Sequence, residues 1–384
     1  MNVLLTTARA PVALELTRRF AARGDCVFLC DSLYCGCARF SRDCHRFFLV
    51  PSPRKSPRDY VAALARIVDQ HAIDLLVPTC EEIFFIAKWK TQFNCEVLVD
   101  FFDKLERLHN KFQFATSFDN EFAKAPETFL VDRPDGFSQF SESLPDFVFK
   151  PVYSRFASET LISPTGEQLR QIKWIKGADW VAQRRIRGVE YCTYSVARNG
   201  KLLAHACYTS SHRAGKGAGI YFTSVAQPRI LAFVHSYLQR LNFTGQIGFD
   251  ILVDAEDQPW VIEANPRATS GIHLFADDIG FIEALSGNVE NLIEAPPGNV
   301  AQVGFAMLMW GLPSACFARN PLQSLRTWTT DVLRAPDVMF RQRDLLPLCS
   351  LPLALAEFAW IAATQRKTLQ QATTADLEWN GEPL

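Results

Sequence analysis

The sequence shows no excess of either charge. Its 384 residues include 40 Lys and Arg and 41 Asp and Glu, which gives a formal net charge of −1. This balance excludes a general polyanion binder, and we expect no nucleic-acid partner, although a local basic groove stays open. Hydrophobic residues make up 48% of the chain, enough to bury a core and to exclude general disorder. The length indicates two or three domains.

A long uncharged apolar run is also missing. No stretch of about 18 such residues occurs, so we expect no membrane span. The nearest approach is Leu345–Ala362, which contains two prolines and Glu357. A packed helical hairpin is the expected structure there, and contact with a lipid surface is the alternative.

The N-terminus lacks the features of an export signal, because Glu15, Arg18 and Arg19 lie where the apolar part of such a signal should end. We therefore expect a cytoplasmic protein whose 11 cysteines are free thiols. Five of them lie with His45 between residues 26 and 45, but no Cys-x-x-Cys pair is present. We expect these cysteines to be small buried side chains, and a zinc site is the alternative.

Residues 1–105 alternate short apolar runs with amphipathic stretches of helical length. Such βα units predict a parallel, Rossmann-like sheet. The predicted strands cover residues 3–8, 26–31, 46–50, 74–78 and 95–100, with helices over 12–23 and 57–70. The first βα turn, residues 6–11, has no glycine, so a pyrophosphate could not approach the backbone closely, and we expect no dinucleotide there.

After about residue 120, strands joined by short turns predominate. The predicted strands cover residues 147–153, 180–186, 191–198, 202–209, 246–254 and 260–264. Asn199-Gly200 is a strong hairpin signal, and Gln227–Leu241 is the one long helix of this part. We predict an α+β region with antiparallel sheets, followed by a helical extension over residues 301–384.

The most informative stretch is Gly245–Arg267. A hairpin loop at Ala255–Gln258 places Asp250 opposite Glu263. The same register pairs Phe249 with Ala264, Ile251 with Ile262, and Val253 with Trp260. Because side chains alternate along a strand, one face is then apolar and the other carries Asp250, Glu263 and Asn265.

The polar face of this hairpin has the chemistry of a metal site. Two carboxylates directly opposite each other repel unless a cation lies between them. Carboxylate and amide oxygens suit Mg²⁺, with phosphate oxygens completing its coordination, and Mn²⁺ is the second choice. The pattern therefore predicts a metal site formed by Asp250, Glu263 and Asn265. A solvated polar face without a metal is the alternative.

The run Glu263-Ala264-Asn265-Pro266-Arg267, with an acid on the neighbouring strand, resembles the metal-binding signature of ATP-grasp enzymes. Over residues 1–300 the chain resembles a short, single-module relative of the carbamoyl-phosphate synthase large subunit and of D-alanine–D-alanine ligase. The resemblance implies ATP as the nucleotide and the three polar residues as ligands of one or two Mg²⁺ ions. It also implies that Arg267 faces the transferred phosphoryl group or the acyl phosphate.

The same resemblance implies a division of the chain. A Rossmann-like domain covers residues 1–105, an ATP-grasp domain covers 106–300, and an extension covers 301–384. Within the ATP-grasp domain, a small lid subdomain lies at about 120–187 and a larger subdomain at about 188–300.

Two lysines match lysines that reach the nucleotide phosphates in the family. Lys150 ends the run FVFKP, and Lys111 lies in HNKFQF. The alternative is that each lysine is a solvated surface charge. This alternative is weaker for Lys150, because Lys150 follows an apolar strand.

A further segment resembles the part of the family that contacts adenine and ribose. Gln183 takes the place of the usual glutamate, and its amide oxygen can accept a hydrogen bond from the adenine amino group. Arg184 and Ile186 would offer backbone groups to the ring edge, and Glu190 would bind the ribose hydroxyls. Ordinary polar strand residues are the alternative.

Two loops are candidate lids. Ser154–Thr160 carries hydroxyl residues and Arg155 where the family has glycines, so the usual backbone cradle for phosphate is missing. Ser211–Gly219 combines Arg213 and Lys216 with flexible glycines, which suits a mobile clamp, and Lys216 is a candidate phosphate contact. A surface hairpin is the alternative for this second loop.

The implied activity is that of an ATP-dependent carboxylate–amine (or ammonia) ligase that forms an acyl phosphate and releases ADP and phosphate. A carboxylate or carbamate kinase half-reaction and a non-catalytic ATP-binding sensor are the alternatives. Small-molecule carboxylates and amines are the expected partners, and a homo-oligomer is compatible with the sequence. Arg9, Glu82 and His273 are candidate substrate contacts.

Overall fold

The computed structural model describes residues 1–155, 159–172, 174, 179–215, 217–276 and 279–384. Its N-terminal part contains a five-stranded parallel sheet in the order β3-β2-β1-β4-β5. The strands are β1 Asn2–Leu5, β2 Cys26–Asp31, β3 Arg46–Leu49, β4 Leu75–Val77 and β5 Glu96–Val97. The helices of this part are α1 Pro11–Arg23, α2 Pro57–Gln70, α3 Ile83–Lys88, α4 Phe102–His109 and α5 Lys111–Thr116.

Strand β1 lies at the centre of this sheet, and its apolar residues are completely buried. A strand covered by helices on both faces needs such an uninterrupted apolar run. The strand ends at Leu5, earlier than predicted, because Thr7 adopts a left-handed conformation with a φ of 55°. Helix α1 then begins at Pro11 and ends at Arg23, and Gly24 caps its C-terminus with a φ of 94° that suits glycine.

The second sheet is antiparallel and has the order β6-β9-β7-β8. Its strands are β6 Thr128–Val131, β7 Phe147–Pro151, β8 Leu161–Ile162 and β9 Trp180–Arg184, and α6 covers Gly166–Arg170. This small sheet has an apolar cluster of its own, centred on Phe149. The four-stranded sheet therefore has a small core of its own, separate from the cores of the other two sheets.

The third sheet follows the path β14-β13-β10-β11-β12-β16, with β15 beside β11. Its strands are β10 Val189–Arg198, β11 Lys201–Ala214, β12 Ala218–Ser224, β13 Gly245–Val253, β14 Pro259–Asn265, β15 Ile293–Glu294 and β16 Val300–Gln302. Helix α7, Pro228–Leu241, and helix α8, Ile279–Leu285, belong to this part. All pairs are antiparallel except β11 with β15.

The C-terminal part is helical. Its helices are α9 Gly304–Ala306, a π-helix Met307–Gly311, α10 Leu312–Cys316, α11 Pro321–Arg334, α12 Leu346–Cys349, α13 Leu351–Gln365 and α14 Leu369–Ala372. Short 3-10 turns elsewhere cover Cys37–Phe40, Lys90–Gln92, Pro134–Phe140, Leu144–Asp146 and Ser270–Leu274. By length and composition alone, one described helix, Leu346–Gln365, could cross a membrane.

The last residues of the chain return to the N-terminal sheet. Trp379 is buried, and its ring lies 5.1 Å from that of Phe84 and 5.4 Å from that of Tyr153. Asp376 accepts hydrogen bonds from both terminal nitrogens of Arg9, at 2.7 and 2.9 Å. The C-terminal tail therefore binds beside the first βα turn.

The predicted fold class is confirmed: a parallel N-terminal sheet, two antiparallel sheets and a helical C-terminal region are all present. The hairpin at Asn199-Gly200 is also correct, because both residues have a positive φ and join β10 to β11. The predicted domain boundaries stay predictions. The packed helical hairpin expected at Leu345–Ala362 is wrong, because Ala354 is the one buried residue of α13.

Candidate active site

The predicted pairing of Asp250 with Glu263 is present where β13 pairs with β14, and Gly248 lies opposite Asn265. A β-bulge follows Asp250, so Ile251 faces Val261 and the predicted pair of Ile251 with Ile262 is wrong. Further along, Val253 pairs with Pro259 instead of Trp260. The predicted register therefore holds at the polar end of the hairpin and shifts by one residue toward its loop.

The three predicted metal ligands lie together. Asn265 Nδ2 donates a hydrogen bond to Asp250 Oδ2 at 3.2 Å. Burial and the charge of Glu263 raise the pKa of Asp250 to about 6. Burial opposes ionisation of Glu263 too, but Lys111 and Lys150 outweigh it and hold the pKa of Glu263 below its usual value. Two facing acids whose charges conflict form a site that a divalent cation would stabilise.

Lys111 and Lys150 approach the same acids from two different elements. Lys111 Nζ lies 3.5 Å from Glu263 Oε2 and donates to the Ser154 carbonyl at 3.2 Å. Lys150 Nζ donates to the carbonyl of Ile262 at 3.2 Å. Both lysines are buried, at 4% and 5% exposure, so neither is a solvated surface charge. Burial and the neighbouring Lys111 lower the pKa of Lys150 to about 8.

The inter-sheet cavity lies between the four-stranded and seven-stranded sheets and has a volume of about 530 Å³. Its walls include seven of the predicted site residues: Lys150, Gln183, Arg184, Ile186, Glu190, Asp250 and Glu263. Gln183 is buried, and its Nε2 donates to Thr128 Oγ1 at 3.1 Å. The predicted adenine and ribose residues and the predicted phosphate contact Lys150 are thus brought to one cavity, although their roles stay predictions.

The crevice cavity, with a volume of about 290 Å³, lies between the parallel sheet and the seven-stranded sheet. Thr79 and Cys80 line it from the end of β4, and Arg155 and Arg267 line it from the other side. Asp250 and Glu263 border this cavity as well as the inter-sheet cavity. The two carboxylates therefore form the shared wall of both spaces.

Arg267 joins the metal-ligand candidates to the crevice cavity. Its Nη2 donates to Asn265 Oδ1 at 3.2 Å, and its Nε lies 3.5 Å from Glu81 Oε1. Glu81 also pairs with Arg155, and His109 Nε2 lies 3.8 Å from it. Glu81 is 1% exposed, so this carboxylate is a buried anchor for the arginines around the cavity.

Both predicted lids differ from expectation in part. Arg213 belongs to β11 and lies opposite Gly219 of β12, so most of Ser211–Gly219 is a paired hairpin. Arg213 forms an ion pair with Glu190 at 2.8 Å and lines both cavities. Lys216 lies outside the described residues. Within Ser154–Thr160, residues 156–158 also lie outside them, whereas Ser154 and Thr160 line the inter-sheet cavity.

The three candidate substrate contacts serve other purposes. Arg9 binds Asp31 and Asp376, Glu82 accepts hydrogen bonds from the amides of Thr79 and Cys80, and His273 lies 3.6 Å from Glu15. None of the three lines the crevice cavity. Their substrate roles stay predictions, and the structure shows that each side chain has a partner within the protein.

Cys192 of β10 is a site residue that sequence analysis missed. It lies opposite Asp250 and lines the crevice cavity. Burial and the charge of Asp250 raise the pKa of its thiol well above the usual value. Only the pairing of β10 with β13 brings Cys192 to the site, and no local motif reveals that pairing.

The alternative of a zinc site among the cysteines between residues 26 and 45 is not supported. Among the described residues, no group of three His, Cys, Asp or Glu side chains could hold a metal ion.

Comparison with known proteins identifies one domain of the chain. Residues 108–271 match the family model of the ATP-grasp domain, so this part of the chain is similar to ATP-grasp domains. No curated protein matches the chain in a sequence search.

Solved structures share the fold at low identity. N5-carboxyaminoimidazole synthetase from Staphylococcus aureus has a TM-score of 0.61 at 12% identity, covering 83% of this chain and 86% of that chain. The biotin carboxylase domain of 2-oxoglutarate carboxylase from Hydrogenobacter thermophilus was solved with ADP, MgADP and bicarbonate. It has a TM-score of 0.60 at 10% identity, covering 78% of this chain and 73% of that chain. L-amino acid ligase from Bacillus licheniformis gives 0.57 at 14%, covering 78% of each chain. Identities this low establish the fold alone.

Proposed function

We propose that this protein is an ATP-dependent carboxylate–amine ligase that requires Mg²⁺. The shared wall of Asp250 and Glu263 carries the proposal, because the two carboxylates lie between two ligand-sized cavities. A phosphoryl group bound at this wall would face a second substrate on its other side. Phosphoryl transfer needs this positioning and charge neutralisation, and little covalent chemistry from the protein.

The inter-sheet cavity is the proposed ATP site. Gln183 and the backbone of Arg184 and Ile186 would bind adenine, and Glu190 would bind ribose. Lys111 and Lys150 would face the phosphates, because both cations are buried beside Glu263. Buried cations next to an anion lose less to solvent screening than surface lysines do.

Asp250, Glu263 and Asn265 fit Mg²⁺ by the chemistry of their oxygens and by the unfavourable charge pair that they form without it. When bound, the ion would offset the negative charge of the nucleotide phosphates. Mn²⁺ would satisfy the same ligands.

The crevice cavity is the proposed site of the carboxylate. Arg155, Arg213 and Arg267 line it, which gives the cavity wall three guanidinium groups that match an anion. A carboxylate oxygen attacks the γ-phosphorus, the bond from that phosphorus to the β-phosphate oxygen breaks, and ADP leaves. The amine nitrogen then attacks the carbonyl carbon of the acyl phosphate, loses a proton, and displaces inorganic phosphate. Arg267 would hold the acyl phosphate during this second step.

A coupled assay tests the proposal. Pools of carboxylates are combined with pools of amines, phosphate release is followed, and products are identified by mass spectrometry. Glu263→Gln should abolish ADP formation, because one anionic ligand is lost. Glu256→Gln is the matched control, since Glu256 is exposed in the turn of the same hairpin. Full activity of Glu263→Gln would overturn the metal assignment.

The same assay separates the two alternatives. ADP that forms with a carboxylate alone, and that no amine changes, would indicate the kinase half-reaction. Binding of Mg·ATP without turnover across the pools would indicate a sensor. The three clustered ligands favour catalysis, because a binding module has less need of a complete cation site.

A further inference from the structure

Large apolar side chains are concentrated on the surface of the C-terminal helices. Of the 22 large apolar residues that are exposed in the described part of the chain, 12 lie between residues 308 and 369. Soluble monomers rarely expose such groups together unless the surface has a partner. This region therefore requires an explanation that a solvated surface does not give.

The segment Leu346–Gln365 is the most apolar part of this region. It has a mean hydropathy of 1.6 over its most apolar window, yet only 17% of that window is buried. A helix that is hydrophobic on all sides is ordinarily found inside a protein core or in a membrane. The body of the protein does not cover this segment, so a core helix is excluded.

Glu357 is the one charged residue of this segment, and it faces the body of the protein. Its carboxylate oxygens accept hydrogen bonds from the backbone amides of Tyr34, at 3.0 Å, and Cys35, at 2.8 Å. These bonds hold the middle of the helix along the N-terminal domain. The helix consequently lies on the surface and does not project as a free span.

The exposed side of the segment carries a stripe of large apolar residues. Leu346, Leu353 and Trp360 follow one another at a spacing of seven residues and are 63%, 55% and 71% exposed. The charged residue beside this stripe is Glu357, one helical turn from Leu353 and from Trp360, and its carboxylate is already bound to the backbone of the N-terminal domain. A seam for a second helix normally has charged flanking positions that select the partner. Because no such charge is available beside this stripe, a lipid surface is favoured over a second copy of the chain.

Basic residues flank the segment at both ends. Arg343 precedes it, and Arg366 and Lys367 follow it directly. The acid beside its N-terminal end, Asp344, is buried and bonded to Arg18. The charge presented next to the apolar face is therefore positive, although the whole chain is nearly neutral. Basic residues beside an exposed apolar face are attracted to the phosphates of an anionic membrane, while the apolar side chains enter its interface.

We propose that Leu346–Gln365 binds the surface of an anionic phospholipid bilayer, with Leu346, Leu353 and Trp360 entering the interfacial layer and Arg343, Arg366 and Lys367 meeting the lipid phosphates. The helix lies in the plane of the membrane surface, because the bonds of Glu357 hold it against the protein. The proposal does not depend on the ligase assignment.

Flotation of the full chain with vesicles tests this proposal. One set contains equal parts of phosphatidylglycerol and phosphatidylcholine, and the other contains phosphatidylcholine alone. We expect the protein to float with the anionic vesicles and to release from them at high salt. The double variant Leu353→Ser and Trp360→Ser should reduce the bound fraction more than about tenfold, because two apolar side chains leave the interface.

Leu49→Ser and Phe101→Ser together are the matched control, since both residues are exposed elsewhere in the chain. This control variant should float like the unchanged protein. Failure to float with either vesicle set would overturn the proposal. A concentration-dependent dimer in analytical ultracentrifugation that the Leu353→Ser and Trp360→Ser changes abolish would assign the face to a second copy of the chain and would likewise overturn it.

Discussion

Lys150 illustrates how single residues of the site acquire their properties. It ends an apolar strand, so its ammonium group is placed inside the protein, where it donates to the Ile262 carbonyl. Burial lowers its pKa to about 8, and the nearby Glu263 and Asp250 limit that decrease. At neutral pH the side chain is still mainly charged, as contact with phosphate requires.

We expect Lys150→Met to weaken ATP binding by about 10- to 100-fold, because a hydrogen bond to a charged group contributes about 1.5–3 kcal/mol. Isothermal titration calorimetry with Mg·ATP measures this change. Lys201→Ala serves as the control, since Lys201 is exposed at the start of β11. An unchanged dissociation constant for Lys150→Met would contradict its phosphate role.

Strand pairing determines how far local pattern could predict the site. The alternation along β13 and β14 predicts Asp250 opposite Glu263, because both residues lie near the well-patterned end. The bulge beyond them could not be predicted, since β14 also pairs on its other edge with Lys124. The amide of Lys124 donates to the Pro259 carbonyl, and the Val261 amide donates to the Lys124 carbonyl. That contact depends on tertiary structure and leaves no local signal.

Gly188, directly before β10, lies so close to the backbone of β13 that no side chain would fit at this position. A Cβ atom added to Gly188 would lie 2.2 Å from the carbonyl oxygen of Val253 on β13. We therefore expect Gly188→Ala to lower the free energy of unfolding by about 1–3 kcal/mol through steric displacement of the strand pair. Urea denaturation measures the change.

Gly166→Ala is the control for this substitution. Its nearest neighbour would be the flexible end of Arg170 at 3.7 Å, so the added methyl group meets no backbone. Equal unfolding midpoints for both variants would show that β10 can move away from Val253 without cost.

At the scale of the whole molecule, the two ends of the chain form contacts that the sequence pattern did not predict. Arg9 follows the first strand, where a ligand contact was expected, but Asp376 binds it from the far end of the sequence. Sequence distance hides such a contact, whereas the alternation of strands and helices predicts the parallel sheet itself. The C-terminal helices were predicted from composition, and only the structure reveals that their apolar face is left uncovered.

The tail contact predicts a dependence of stability on pH. Burial opposes ionisation of Asp376, but Arg9 outweighs it and holds the pKa of Asp376 below its usual value. Such a group stabilises the fold above its unfolded pKa of about 4, and this contribution is lost as pH falls through the lower folded value. Asp376→Asn should therefore lower stability at pH 7 by about 1–3 kcal/mol and make less difference below about pH 4.

Thermal unfolding followed across pH checks this expectation. Asp135→Asn is the control, because Asp135 is 79% exposed and its ion pair, at 3.5 Å, is with the similarly exposed Arg133. A constant difference between the unchanged protein and Asp376→Asn from pH 7 to pH 3 would contradict the link to ionisation.

Under the proposed function, the common boundary of Asp250 and Glu263 would make ligand binding in the two compartments thermodynamically interdependent. A ligand that reorganises these carboxylates from one side alters the affinity on the opposite side, and the effect is reciprocal. It follows that a single inhibitor tethering a nucleoside diphosphate analogue to a short carboxylic acid would benefit from a high effective concentration at its second end.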